Sequence, residues 1–139
     1  MKGFVLDASF AASWFLPDEA SLATNALLDR LVESEAAVPS LFRHEMRNLM
    51  LLAQRRGRMS RAKLHEVILE LGAAPVRDYG PGDDAKIVDL AMKRDLTAYD
   101  AAYLDLALRE RLPLATLDRK LAAAAHAENV PVLGPLGAS

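Results

Sequence analysis

Residues 96–121, LTAYDAAYLDLALRERLPLATLDRKL, constrain the fold more than any other stretch. They read as a helix, a tight turn and a short buried strand that ends on an acid. Thr97 has the residue type of a helix N-cap. That puts Asp100 at the third helical position and Ala98, Ala102 and Leu106 on a face able to pack against a sheet. After Arg111, the run from Leu112 to Leu117 is short, apolar and introduced by proline, the pattern of a central strand whose carboxyl end delivers Asp118. In open α/β sheets that edge is where ligands bind.

The rest of the chain repeats the pattern. Gly3 to Leu6 is an apolar run long enough for a buried parallel strand, and it ends on Asp7 and Ser9. A short helix from Ala8 to Leu16, closed by Pro17, is expected next. A second follows over 21–33, with Leu22, Ala26, Leu27, Leu31 and Val32 as its apolar stripe. Ala36 to Pro39 suits a strand. Ser40 is placed to cap a helix that runs to about Arg56 and ends near Gly57, with Glu45 one turn in. Ser60 opens another helix carrying Leu64, Val67, Ile68 and Leu71 at helical spacing and stopping at Gly72, so the two helices form an arm. Pro75-Val76 begins a minor strand. Tyr79 to Gly82 is a turn before a helix over 83–94 with Ile87, Val88, Leu90 and Ala91 inward. A helix over 119–127, a strand over 130–133 and a frayed tail from Gly134 to Ser139 complete the chain. Strands separated by helices imply right-handed crossovers and a mostly parallel sheet: a three-layer α/β/α sandwich, one domain over 1–139. Asp7 and Asp118 then emerge at the same edge if their strands are neighbours, and Asp100 reaches that edge from its helix start.

Composition narrows the chemistry. The chain has no cysteine, which excludes disulfides, thiolate metal sites and a cysteine nucleophile and fits a cytoplasmic setting. Asp7 breaks the apolar start, which argues against an export signal, and no run approaches a membrane span. The formal net charge is −2, yet the charges are uneven. Arg43, Arg47, Arg55, Arg56, Arg58, Arg61 and Lys63 stand against the single acid Glu45 over 43–63. This region is either a solvated helix pair or a surface for phosphates.

Each acid has an ordinary explanation. Asp7 and Asp118 can cap the helices after their strands, Thr97-x-x-Asp100 matches a capping box with aspartate in place of glutamate, and Glu45 can be solvated. Together they point further. Converging carboxylates repel one another unless a cation sits among them, and an oxygen-only set suits Mg²⁺ or Mn²⁺ rather than zinc. Such an ion keeps waters, lowers their pKa and neutralises charge on a phosphodiester, which is the chemistry of phosphodiester hydrolysis. His44 adjoins Glu45 but points about 100° away on a helix, so a surface or packed role is expected, and Tyr99 and Tyr103 read as core or rim packing.

Four blocks, VLDAS at 5–9, PSLFRHEMRN at 39–48, LTAYDAAYLDLA at 96–107 and LPLATLDRKLAAAA at 112–125, resemble in order the motifs of PIN-domain ribonucleases, and most of all the VapC toxins of type II toxin–antitoxin pairs. The resemblance implies that Asp7, Glu45, Asp100 and Asp118 are the catalytic and metal-binding acids, with Mg²⁺ or Mn²⁺ as cofactor. Ser9 and Thr116 match hydroxyl positions beside the acids, and Asn48 is placed to orient Glu45 or the nucleic acid. Some PIN domains add an acid or asparagine after the fourth aspartate. Here Arg119 and Lys120 follow Asp118, so a second ion lacks that ligand and the two cations can meet phosphate together with Arg43, Arg47, Arg55, Arg56 and Arg58. The implied function is an endoribonuclease toxin acting on RNA, blocked by a cognate antitoxin and paired as a homodimer. Trp14-Phe15-Leu16 and the run Leu49 to Ala53 carry more apolar surface than a sheet-facing stripe needs, which fits either a helix sandwiched in the body or a groove for that partner. Two alternatives stay open: a PIN-like nuclease outside toxin systems, in RNA processing or on DNA, and a non-catalytic partner-binding module with a structural ion site.

Overall fold

The structure is a computed structural model that describes residues 3–16 and 19–137. Five short strands form one sheet: β1 (Phe4–Leu6), β2 (Ala36–Val38), β3 (Val76–Asp78), β4 (Leu114–Ala115) and β5 (Val132–Leu133). Seven helices surround it among the described residues: α1 (Ala8–Ser13), α2 (Leu22–Arg30), α3 (Leu41–Arg55), α4 (Arg61–Ala73), α5 (Asp84–Arg94), α6 (Ala98–Glu110) and α7 (Arg119–Ala127). Every strand pair is parallel, in the order β3-β2-β1-β4-β5. The three central strands, β1, β2 and β4, are buried along their whole length, which is why they read as apolar runs rather than as an alternation.

This order determines the layers. The chain steps outward from β1 to β2 and β3, then returns past β1 to β4 and β5. Right-handed crossovers therefore put α1 to α4 on one face and α5 to α7 on the other. The packing agrees: α1 lies on α3 and α3 on α4, while α5 lies on α6 and α6 on α7. The strand order reverses between β1 and β4, where Val5 pairs with Leu114 and Leu6 with Ala115. The Asp7 N–H continues this ladder to the Ala115 carbonyl at 3.0 Å. The crevice at such a switch point is the expected ligand position.

Local capping chemistry is largely as expected. The side chains of Ser60, Asp83, Thr97 and Asp118 each accept the backbone N–H three residues on, and Gly57, at φ +76, ends α3 through a conformation that favours glycine. Ser40 differs. Its backbone is already helical and its hydroxyl makes no cap; it donates instead to Asp78 Oδ1 at 2.9 Å, tying the start of α3 to the end of β3. Gly72 does not stop α4, which runs on to Ala73. The apolar stripes are narrower than their spacing implies. Leu22 is 91% and Val32 87% exposed while Leu27 and Leu31 are buried, and on α5 Val88 is exposed while Ile87, Leu90 and Ala91 are inward. Ala98 is exposed too, leaving Ala102 and Leu106 to face inward. The expected stop at Pro17 and the last two tail residues lie outside the described residues. No helix among the described residues is long and apolar enough to cross a membrane.

Candidate active site

Asp7 is the buried acid at the switch point, 5% exposed. It occupies the N-cap position of α1, yet its carboxylate makes no cap bond. Ser9 Oγ and Thr116 Oγ1 both donate to its Oδ2 at 2.7 Å. Those hydroxyls are oriented in turn by the backbone. The N–H of Leu117 donates to Ser9 Oγ at 3.3 Å and the N–H of Asp118 to Thr116 Oγ1 at 3.0 Å. Each hydroxyl has one proton and delivers it to Asp7, so Oδ2 is doubly engaged and Oδ1 takes part in neither bond. Burial pushes the Asp7 carboxyl above its ordinary pKa; the two hydroxyls oppose that rise and the charge of Asp118 adds to it.

The other three acids come from three further elements. Asp118 follows the end of β4 and is a true cap, its Oδ1 accepting the Leu121 N–H at 2.9 Å. Asp100 starts α6. The Thr97 hydroxyl accepts the Asp100 N–H at 3.1 Å, but the return bond that completes a capping box, present between Ser21 and Thr24, is not formed here. Partial burial, then the charges of Asp118 and Asp7, raise Asp100 from 3.8 to about 6, against the Thr97 cap and Lys120. Glu45 projects from α3. Burial raises its pKa, the charges of Asp7 and Asp100 add to the rise, and a hydrogen bond from Tyr103 opposes it. That bond, Tyr103 Oη to Glu45 Oε1 at 2.6 Å, joins two helices of opposite faces. Tyr103 is fully buried, so packing was a correct expectation as far as it went, and its link to Glu45 had no sequence signal beyond standing one turn after Asp100.

The charges of Asp7, Asp100 and Asp118 therefore fall on one site: Asp118 acts on Asp7, Asp118 and Asp7 act on Asp100, and Asp7 and Asp100 act on Glu45. Among the described residues no group of three or more acid or histidine side chains is arranged to hold a metal ion directly. A hard cation such as Mg²⁺ needs less than that. It is bound through one or two carboxylates and keeps several waters, and the oxygen-only donors and shared like-charge repulsion here suit it. Asp105, also buried, has Arg109, Lys86 and Asp83 as its charged neighbours.

These shifts set a pH dependence. Asp7, Glu45 and Asp100 hold protons more tightly in the metal-free folded protein than when unfolded, so the folded state binds more protons and loses stability as pH rises. Thermal melting without metal is expected to show the midpoint falling from about pH 5 to about pH 7, and falling less in Asp100→Asn. A midpoint that is level or rising across that range contradicts the shifts.

The remaining expected residues spread around this edge. Asn48 is exposed and makes no hydrogen bond to Glu45 among the described residues; Tyr103 takes that place. His44 is at the surface, its Nδ1 2.8 Å from Arg47. Tyr99 is 65% exposed. Arg47, Arg55, Arg56, Arg58, Arg119 and Lys120 are exposed and Arg43 partly so. Arg58 pairs with Glu19 at 2.7 Å and Lys120 with Asp95 at 3.2 Å. A cavity of about 350 Å³ adjoins the acids through Ser9 and Leu117, with Leu16, Leu49 and Leu52 on its walls and Arg56 and Arg58 at its rim. Another of about 380 Å³ opens between Trp14, Phe15, Leu31, Leu71 and Val76. The apolar run on α3 is thus divided, with Met50 and Ala53 in the core and Leu49 and Leu52 half-buried beside the first cavity.

The description PIN domain belongs to the family model that matches residues 4–127. Among solved structures, the chain is similar to PAE2754 from Pyrobaculum aerophilum, at 22% identity and a TM-score of 0.70 over 88% of this chain and 78% of that one. It is also similar to FitAcB from Neisseria gonorrhoeae, at 21% identity and a TM-score of 0.62 over 97% of this chain and 98% of that one. At these identities the likeness carries the fold. No curated protein matches.

Proposed function

Because the chain belongs to the PIN-domain family, whose members are generally nucleases, we propose that it is an Mg²⁺- or Mn²⁺-dependent endoribonuclease of the VapC toxin kind, cytoplasmic and restrained by a cognate antitoxin. The observation that carries this reading is Asp7: a buried carboxylate at the switch point, held by two hydroxyls on one oxygen and sharing its field with three other acids. An enzyme tolerates such destabilising repulsion where the site needs it.

Asp7, through Oδ1, and Asp118 would hold the ion at the ends of β1 and β4, with Asp100 and Glu45 completing the negative edge. When bound, the ion supplies a water of lowered pKa and charge neutralisation on the phosphodiester. Ser9 and Thr116 keep the Asp7 carboxylate aimed by accepting backbone N–H groups and donating inward. Arg119 and Lys120, exposed at the start of α7, would meet the phosphate, Lys120 by exchanging its Asp95 partner for it. The antitoxin reading rests on the sequence resemblance and on the apolar cavities beside α1, which suit a partner segment. Homodimer pairing is proposed from the resemblance alone.

Purified protein incubated with total cellular RNA tests the reading. Cleavage is expected with Mg²⁺ or Mn²⁺, is stopped by EDTA and returns when the ion is restored; RNA left intact under all conditions contradicts it. A second measurement addresses the arm. Because Arg58 is paired with Glu19, the informative variant is Arg55→Ala with Arg56→Ala. Two lost phosphate contacts should weaken binding across RNA sequences and reduce the slope of log affinity against log salt by about 1.4. An unchanged slope makes this face a solvated or partner-facing surface.

A further inference from the structure

Building on that nuclease reading, we propose that Tyr103 is a positioning residue whose hydroxyl fixes the Glu45 carboxylate at the acidic edge, so that α6 supplies one acid and holds another. Asp100 and Tyr103 are three residues apart and share one face of α6. The first contributes its charge to the acid group. The second reaches across to α3, from which Glu45 projects on a side chain with three rotatable bonds, half-buried and with no other hydrogen bond among the described residues.

The geometry is that of a directed bond. At 2.6 Å it has the length of a hydroxyl donating to an ionised carboxylate. Tyr103 is 0% exposed and its ring lies in the main core, a space phenylalanine would fill equally well. The hydroxyl is the part that touches Glu45, and by engaging Oε1 it restricts the rotamers of the side chain, within reach of the charges of Asp7 and Asp100, and leaves Oε2 out of the bond. A purely structural account reverses the roles, with Glu45 merely satisfying a buried phenol. The two accounts separate when both residues are changed.

The test is a double-mutant cycle on binding of Mn²⁺ alone, read by calorimetry, with single-turnover RNA cleavage measured beside it. Tyr103→Phe is expected to keep the fold, checked by melting of the metal-free protein, and to weaken Mn²⁺ binding about 10-fold, the lower end of what loss of an outer hydrogen-bond partner costs, because an unheld Glu45 carboxylate no longer adds its charge at the acidic edge. In the Glu45→Gln background the same change should cost nothing more. Unchanged Mn²⁺ affinity in Tyr103→Phe, or an equal loss in both backgrounds, overturns the role. A wild-type protein that neither binds Mn²⁺ nor cleaves RNA overturns the nuclease reading itself, and the role with it. Wild-type binding and cleavage that Tyr103→Phe reproduces overturn the role alone.

Discussion

Asp100→Asn is expected to leave the metal-free protein as stable as the wild type or more so while RNA cleavage falls by more than about 100-fold, the upper end of what an outer hydrogen-bond partner costs. The two halves of this result have one cause. Asp100 sits in the first turn of α6, where a negative charge favours the helix N-terminus by roughly 0.3 to 1 kcal/mol. If that were its whole role, the variant would be destabilised by about that much and would cleave normally. The opposing influences are the larger ones: burial and the charges of Asp118 and Asp7 lift its pKa to about 6, so at neutral pH the ionised form is held against its preference. The missing return bond of the capping box agrees, since the carboxylate is not spent on the backbone of Thr97. Neutralising the group relieves repulsion in the metal-free protein and removes an acid from the site. Unfolding midpoint and single-turnover cleavage, measured on the same preparation, separate the two roles; a destabilised variant that cleaves at the wild-type rate returns Asp100 to the cap.

What could be read from the sequence was mostly what is local. The caps at Ser60, Thr97 and Asp118 and the whole span of α7 follow from residues within four positions of one another, and the structure has them where that spacing puts them. The three central strands were visible because fully buried strands are continuously apolar. Periodicity failed where it had to choose which part of a stripe turns inward. Leu22, Val32 and Val88 have the spacing of core residues and lie at the surface, because the width of the buried face depends on how each helix meets its neighbours. Ser40 failed for a related reason: its local cap lost to Asp78, 38 residues away. The site divides along the same line. Asp7 and Asp118 had equal claims to be caps, and only distant partners distinguish them. Asp118 binds the backbone of α7, whereas Asp7 is claimed by Thr116, 109 residues on. Tyr103 and Glu45 stand 58 residues apart, and nothing in either segment announces the bond between them.

Asp7→Asn is expected to remove the protein's response to divalent metal almost entirely. Asp7 is the deepest of the four acids and its Oδ2 is already occupied by Ser9 and Thr116, so Oδ1 is the oxygen through which it would hold an ion. An amide in its place can keep contacts with the two hydroxyls, which preserves the strand end, but it carries no charge to hold a hard cation. Binding to the folded state alone stabilises by about 2.7 kcal/mol at a hundred times the dissociation constant, which for a chain of this size raises the melting midpoint by about 10 °C. Asp118→Asn should lose most of the same response, with an added cost from the weakened cap of α7. The measurement is the melting midpoint against Mn²⁺ concentration for the wild type and Asp7→Asn side by side. A midpoint that climbs with Mn²⁺ in the wild type and stays level in Asp7→Asn is the predicted result, and an equal climb in both, or none in either, contradicts a metal site at the β1 and β4 strand ends.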